Sequence, residues 1–158
     1  PMDKENIKGG AYIVELAKRM PQYQFIVVAN YIRESQGIPS NVYVWGRASS
    51  QEELATLYSS ADLTLIASRR ETYCMVVAES LCCGTPIVGF YAGGSESIAI
   101  HDFCEFVDYG DLEKYEKAVD RMLNLDFDKE IISAKAKSIY GRQSMSKGYI
   151  DVYHSFFN

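Results

Sequence analysis

The 158-residue sequence predicts one α/β domain, a doubly wound parallel sheet with helices on both faces. Three observations carry that expectation. Short apolar runs alternate with segments of helix length, the order that buries a parallel sheet between two helical layers. The composition, 47% hydrophobic and 23% charged, is that of a folded globular chain, and the length fits one domain with a sizeable core. No internal repeat, low-complexity tract or linker interrupts the pattern.

Pro1 to Lys8 is polar and turn-like, where such a fold usually opens with a buried strand. The expectation is a first strand upstream of Pro1; a fold with one strand fewer is the alternative. A helix over Gly9 to Met20 follows, then strands at Phe25 to Val28 and Val42 to Trp45, and a helix at Gln51 to Ser59. The strand Leu63 to Ala67 feeds a helix from Tyr73 to Cys83, with Thr72 able to cap its start and Gly84 its end. Next come the strand Pro86 to Phe90, a short helix after Gly94, and the strand Glu105 to Val107. Helices at Leu112 to Leu123, about Asp128 to Tyr140 and about Ser144 to Phe156 finish the chain. The last carries Tyr149, Ile150, Val152, Tyr153, Phe156 and Phe157 at helical spacing, a face that packs on its own domain or docks on a partner domain.

The net charge of -5 argues against a nucleic-acid partner, which needs a basic face. No apolar run approaches the roughly 18 to 20 residues of a transmembrane segment, and the start has no signal-peptide pattern. Cys74, Cys82, Cys83 and Cys104 have neither CxxC nor zinc-like spacing, so reduced thiols and a cytoplasmic setting are expected. His101 and His154 stand without metal-ligand partners, and no acidic cluster suits a metal.

The chemistry concentrates in Ser68-Arg69-Arg70-Glu71-Thr72-Tyr73-Cys74-Met75-Val76-Val77-Ala78-Glu79. It follows a strand, and open α/β sheets bind ligands at that carboxyl end. Free amides of Tyr73, Cys74 and Met75 at the helix start, with the helix dipole, suit a phosphate or diphosphate. Glu79 lies in an otherwise apolar helix, and a carboxylate there needs a partner. Either a ribose with vicinal hydroxyls or a neighbouring helix end or Arg would satisfy it. Glu71 lies in the loop before the helix, facing the ligand's other end, or is a solvated acid beside Arg69 and Arg70.

The pair Glu71 and Glu79, followed by Ser-Leu-Cys-Cys-Gly-Thr-Pro, resembles the retaining family 4 (group 1) glycosyltransferases. These have the GT-B architecture of two Rossmann-like domains, and the resemblance covers nearly the whole chain as the C-terminal one. Asn6-Ile7-Lys8-Gly9-Gly10, Asn41 to Gly46, Glu53 to Asp62 and Ala92-Gly93-Gly94-Ser95 follow in family order. Three departures stand out. The arginine usual just upstream of the lysine, at the end of the first strand, falls in a region missing or different here; Thr72-Tyr73-Cys74 replaces a small-aromatic-glycine or proline pattern; and Ser97 holds the place of an acid, with Glu96 shifted by one.

The resemblance implies a donor site for a UDP- or GDP-linked sugar. Glu79 would bind the ribose, Glu71 the sugar, and Lys8 the leaving diphosphate. Amides near Tyr73, Cys74, Met75 and Val76 would contact sugar and phosphate, with Gly46, Arg47 and Leu54 on the base side. It further implies transfer with retention and no cofactor or metal. The glycan or lipid-linked acceptor would be bound through an N-terminal domain onto which the last helix, about 144 to 157, packs. Polysaccharide biosynthesis, in the cytoplasm or peripherally at the inner membrane face, is the implied setting. A GT-B nucleotide-sugar epimerase and a non-catalytic nucleotide-sugar-binding module are the alternatives.

Overall fold

The computed structural model describes residues 7–29 and 37–157; Asn6 of the lysine-glycine motif lies outside them. The elements run α1 (Gly10–Arg19), β1 (Phe25–Val27), β2 (Val42–Val44), α2 (Gln51–Ser60), β3 (Thr64–Ile66), α3 (Met75–Cys82), β4 (Ile87–Phe90), α4 (Gly94–Ser97), β5 (Cys104–Val107), α5 (Leu112–Leu123), α6 (Lys129–Tyr140) and α7 (Arg142–Phe157). A short 3-10 turn, His101–Phe103, precedes β5 and has no counterpart in the sequence-based expectation.

Among the described residues all strand pairing is parallel, in two pieces. β1 pairs with β2, Phe25 opposite Val42, and β3, β4 and β5 form the second piece, with Ile87 opposite both Thr64 and Cys104. No ladder joins the pieces among the described residues. Just beyond β3, the Arg69 amide donates to the carbonyl of Ile7 at 2.8 Å, which brings the start of the chain beside that strand.

β4 is the centre of the second piece and is buried throughout. Its side chains alternate between two cores, as a strand's two-residue period requires. Val88 and Phe90 join Leu16, Ala17, Tyr115, Ala118 and Val119 from α1 and α5 on one face. Ile87 joins Val77, Leu81, Ile132 and Ala136 from α3 and α6 on the other. Helices thus cover both faces, each buried Leu, Ile or Val contributing about 1.5–3 kcal/mol. A Cβ on Gly89 would lie 3.0 Å from the Phe106 ring and 3.1 Å from Ile66, so the neighbouring strands approach closely here and would have to give by a few tenths of an ångström to admit a side chain.

The last helix behaves differently. α7 buries none of its residues, and Phe156 and Phe157 are 79% and 84% exposed. Its aromatic face therefore does not pack on its own domain. No described helix is long and apolar enough to cross a membrane.

Candidate functional site

Three chain segments meet at the carboxyl end of the second sheet piece: the entry to α1, the loop from β3 to α3, and the turn from β4 to α4. Gly9 starts α1 with φ of 71°, and a Cβ there would fall 1.9 Å from the Ala67 carbonyl oxygen. Only glycine permits that approach, and it sets Lys8 beside the end of β3. The β3–α3 loop is held to the β4–α4 turn by two backbone hydrogen bonds, Glu71 N–H to Ala92 O and Gly94 N–H to Glu71 O, each 2.9 Å. Gly94 allows this, since a Cβ would stand 2.4 Å from the carbonyl carbon of Thr72. Glu96 secures the turn itself, its carboxylate accepting the amides of Ala92 and Gly93 at 3.0 and 2.8 Å.

That framework brings Lys8 and Glu71 together, Nζ to Oε1 at 2.6 Å. The Glu71 side chain is 13% exposed and that of Lys8 76%. Burial pushes the Glu71 carboxyl up, but hydrogen bonds from Lys8 and Ser68, with the Lys8 charge, outweigh it and hold the group below the usual carboxylate range. Arg69 does not take this role; its guanidinium lies over the Tyr109 ring at 5.9 Å. Of the two readings of Glu71, the solvated acid beside Arg69 and Arg70 does not describe this side chain, which is largely enclosed and paired with Lys8.

The start of α3 also differs from expectation. Thr72 does not cap it; the helix begins at Met75, and Cys74 is the N-cap, with a left-handed φ of 57° and no side-chain cap. The cause is tertiary. Glu71 is paired with the 92–94 turn, the chain bends at Thr72 and Tyr73, and it passes through one left-handed residue, Cys74, before the helix begins. The first free helical amides are therefore those of Met75 and Val76, since Val77 N–H already bonds to Cys74 O. Tyr73 and Met75 are exposed, Val76 is half-buried and Cys74 is buried. All four cysteines are unpaired.

Glu79 lies four residues beyond Met75, about 6 Å along the helix axis, and is half-buried. Its partner comes from α2: Tyr58 Oη donates to Glu79 Oε2 at 3.2 Å. Burial, followed by the charge and hydrogen bond of Glu79, raises the Tyr58 phenol. Sequence reasoning does not single out Tyr58, which stands among many tyrosines read as packing. The available signal is its place four residues after Leu54, on the same helical face.

On the β2–α2 side, Gly46 has φ of 89°, Arg47 is exposed and Leu54 half-buried. Glu53 fastens this loop, accepting from Trp45 Nε1 at 2.7 Å and from both the backbone amide and hydroxyl of Ser49. Those bonds, the Ser49 hydroxyl foremost, pull its carboxyl down to about 2. Ser50, three residues upstream, accepts from the Glu53 amide and caps α2, so the Ser-x-x-Glu spacing signals the cap, while the Glu53 carboxylate goes to Trp45 and Ser49 instead. Separately, a cleft of about 570 Å³ opens beside Tyr73, lined also by His101, Lys135, Ile139 and Tyr140; neither glutamate of the pair lines it.

Comparison with known proteins gives a consistent picture. The family model described as glycosyl transferases group 1 matches residues 8–139. A D-inositol 3-phosphate glycosyltransferase of Segniliparus rotundus is 38% identical over 61 residues, which cover 39% of this chain and 13% of that protein. Sucrose-phosphate synthase from Thermosynechococcus elongatus superimposes with a TM-score of 0.76 at 19% identity, covering 97% of this chain and 43% of that one. The Anabaena protein HepE, solved in complex with UDP-glucose, gives a TM-score of 0.72 at 17% identity, covering 93% and 46%. The chain thus spans a small part of the curated relative and less than half of each solved neighbour, and the two structural likenesses speak for the fold alone.

Proposed function

The chain belongs to the group 1 glycosyl transferases, and on that premise we propose that it forms the donor-binding half of an enzyme moving a sugar from a nucleoside-diphosphate sugar to an acceptor hydroxyl with retention. The observation that carries the reading is the Lys8–Glu71 contact of 2.6 Å, set beside the amino ends of α1 and α3. A lysine, a carboxylate and two helix termini at one sheet edge suit a ligand with a diphosphate and a polyol sugar.

In this reading the C1–O bond to the diphosphate breaks as C1 bonds to the acceptor oxygen on the same face. The acceptor proton leaves with the departing phosphate. Charge developing on the diphosphate is met by Lys8 and the amides of Met75 and Val76 rather than by a metal ion. Glu71 holds hydroxyls of the sugar, and Glu79, about 6 Å deeper along α3, holds the ribose. The backbone of Tyr73 and Cys74 lines the sugar side, and Gly46, Arg47 and Leu54 the base. The UDP-glucose in the HepE structure favours UDP as the first donor to try, with GDP second.

Residues 1–158 form a single domain in this proposal, and the acceptor is bound by an N-terminal domain onto which α7 docks. The uncovered aromatic face of α7 supports that arrangement. Calorimetric titration of the chain with UDP and GDP tests the donor reading. Binding weakened about tenfold by Glu79→Ala is expected, in line with loss of a hydrogen bond to a charged group. If neither nucleotide binds, the reading falls.

A further inference from the structure

The bond between Tyr58 and Glu79 belongs to a larger arrangement that the donor reading leaves unexplained. Tyr58 sits in the last turn of α2, and that turn is fastened at three points. The buried Thr85 Oγ1 donates to the Tyr58 carbonyl at 2.6 Å. Lys129 Nζ, from the start of α6, donates to the carbonyls of Ser59 and Ala61, both at 2.8 Å. The fully buried Ser80, next to Glu79 in α3, donates to the Thr85 carbonyl at 2.9 Å, with the Thr64 hydroxyl 2.8 Å away as its second hydrogen-bond partner. The backbone on both sides of the Tyr58–Glu79 contact is therefore fixed by polar ties to β3, to the β4 entry and to α6.

A half-buried carboxylate that merely needed neutralising would be served by any nearby donor. Here a rigid ring on a clamped turn delivers one hydroxyl to one oxygen, Oε2. Oε1 receives no hydrogen bond among the described residues. A two-χ aromatic side chain delivers such a bond at low entropic cost, and a carboxylate held in one rotamer is pre-organised for its second partner. The phenol is also a dependable donor, since burial and the neighbouring carboxylate favour its protonated form.

We propose that Tyr58 is a positioning residue, whose hydroxyl holds one oxygen of Glu79 and turns the other toward the donor's ribose. The proposal rests on the assignment of Glu79 to the ribose, and its test separates the two. UDP and 2′,3′-dideoxy-UDP are titrated into the chain and into Tyr58→Phe, Glu79→Ala and the double variant. For the chain as it stands, UDP should bind more tightly than the dideoxy analogue.

Tyr58→Phe should weaken UDP roughly 3- to 10-fold and leave the dideoxy analogue within about twofold. In the double variant, UDP should bind no more weakly than with Glu79→Ala alone, because the two side chains act as one unit. An equal loss for both nucleotides, or additive losses in the double variant, would make Tyr58 a structural support only and overturn the proposal. So would unchanged UDP affinity in Tyr58→Phe. If UDP and its analogue bind equally well to the unaltered chain, the ribose assignment of Glu79 fails first and takes this inference with it.

Discussion

Glu71 and Lys8 are each visible in the sequence, yet their contact is not. They stand 63 positions apart, and what joins them is the close approach of Gly9 to the Ala67 carbonyl, a packing event with no local signature. The pairing has a pH consequence. Because the folded-state carboxyl lies below its ordinary value, it adds stability above about pH 4.5, where the unfolded group is ionised, and that contribution is lost as pH falls through the lowered value. Lys8 is largely in water, so screening keeps the contribution under about 1 kcal/mol. Urea midpoints of the unaltered chain and Lys8→Met should therefore differ slightly at pH 7 and converge as the pH is lowered far enough to protonate the carboxyl in both states. A gap that stays constant as the pH is lowered through the acid range would assign the effect to the lysine stem rather than to the charge pair. Cys74 illustrates the opposite case: its left-handed backbone follows from the fastening of Glu71 to the 92–94 turn, which no propensity scale contains.

The α-helices and strands themselves were largely legible, because each owes its form to periodicity and to its own end signals. α5 begins and ends as expected, its Asp111 side chain capping through the Lys114 amide. α6 starts at the Asp128 cap, one residue inside the expected bound. α3 is where reading failed, since tertiary pairing overrode the capping preference of Thr72. That pairing depends on Gly94. In Gly94→Ala the new methyl would meet the Thr72 backbone, and backbone cannot yield as a flexible side chain can. A loss of roughly 2 kcal/mol or more is expected, measured by denaturant unfolding, together with weakened nucleotide binding. Gly10→Ala, where nothing lies within 4 Å, is the matched control and should be neutral or slightly stabilising. Equal behaviour of the two variants would show that the loop and turn are not held as described.

α7 sets the boundary of what this chain does alone. Its apolar side chains face water rather than a core, and in the proposed arrangement they meet the second domain. The double change Phe156→Asp with Phe157→Asp should accordingly leave the unfolding midpoint of the chain unchanged within about 0.5 kcal/mol, as for other exposed positions. In a protein carrying the proposed N-terminal domain, the same change should lower transfer activity. A lowered midpoint in the chain itself would instead mean that α7 packs on its own domain. The proposed site follows the same division: Lys8 and Glu71 meet at one sheet edge, whereas the acceptor side belongs to the proposed second domain.

The ladders of β4 bear on how the molecule assembles. Ile87 to Phe90 find their partners in β3 and β5, each reached only across an intervening helix, so no bond of this strand can form as a local hairpin. The entropy of closing both loops is spent before the sheet returns any of it, which makes completion of β4 a slow, late event. Both the Glu71 loop and the Gly93–Gly94 turn leave the ends of these strands. A newly made chain therefore carries every residue of the proposed donor site long before these are brought together, and any factor that shields nascent strands would act on the timing of that assembly as much as on yield.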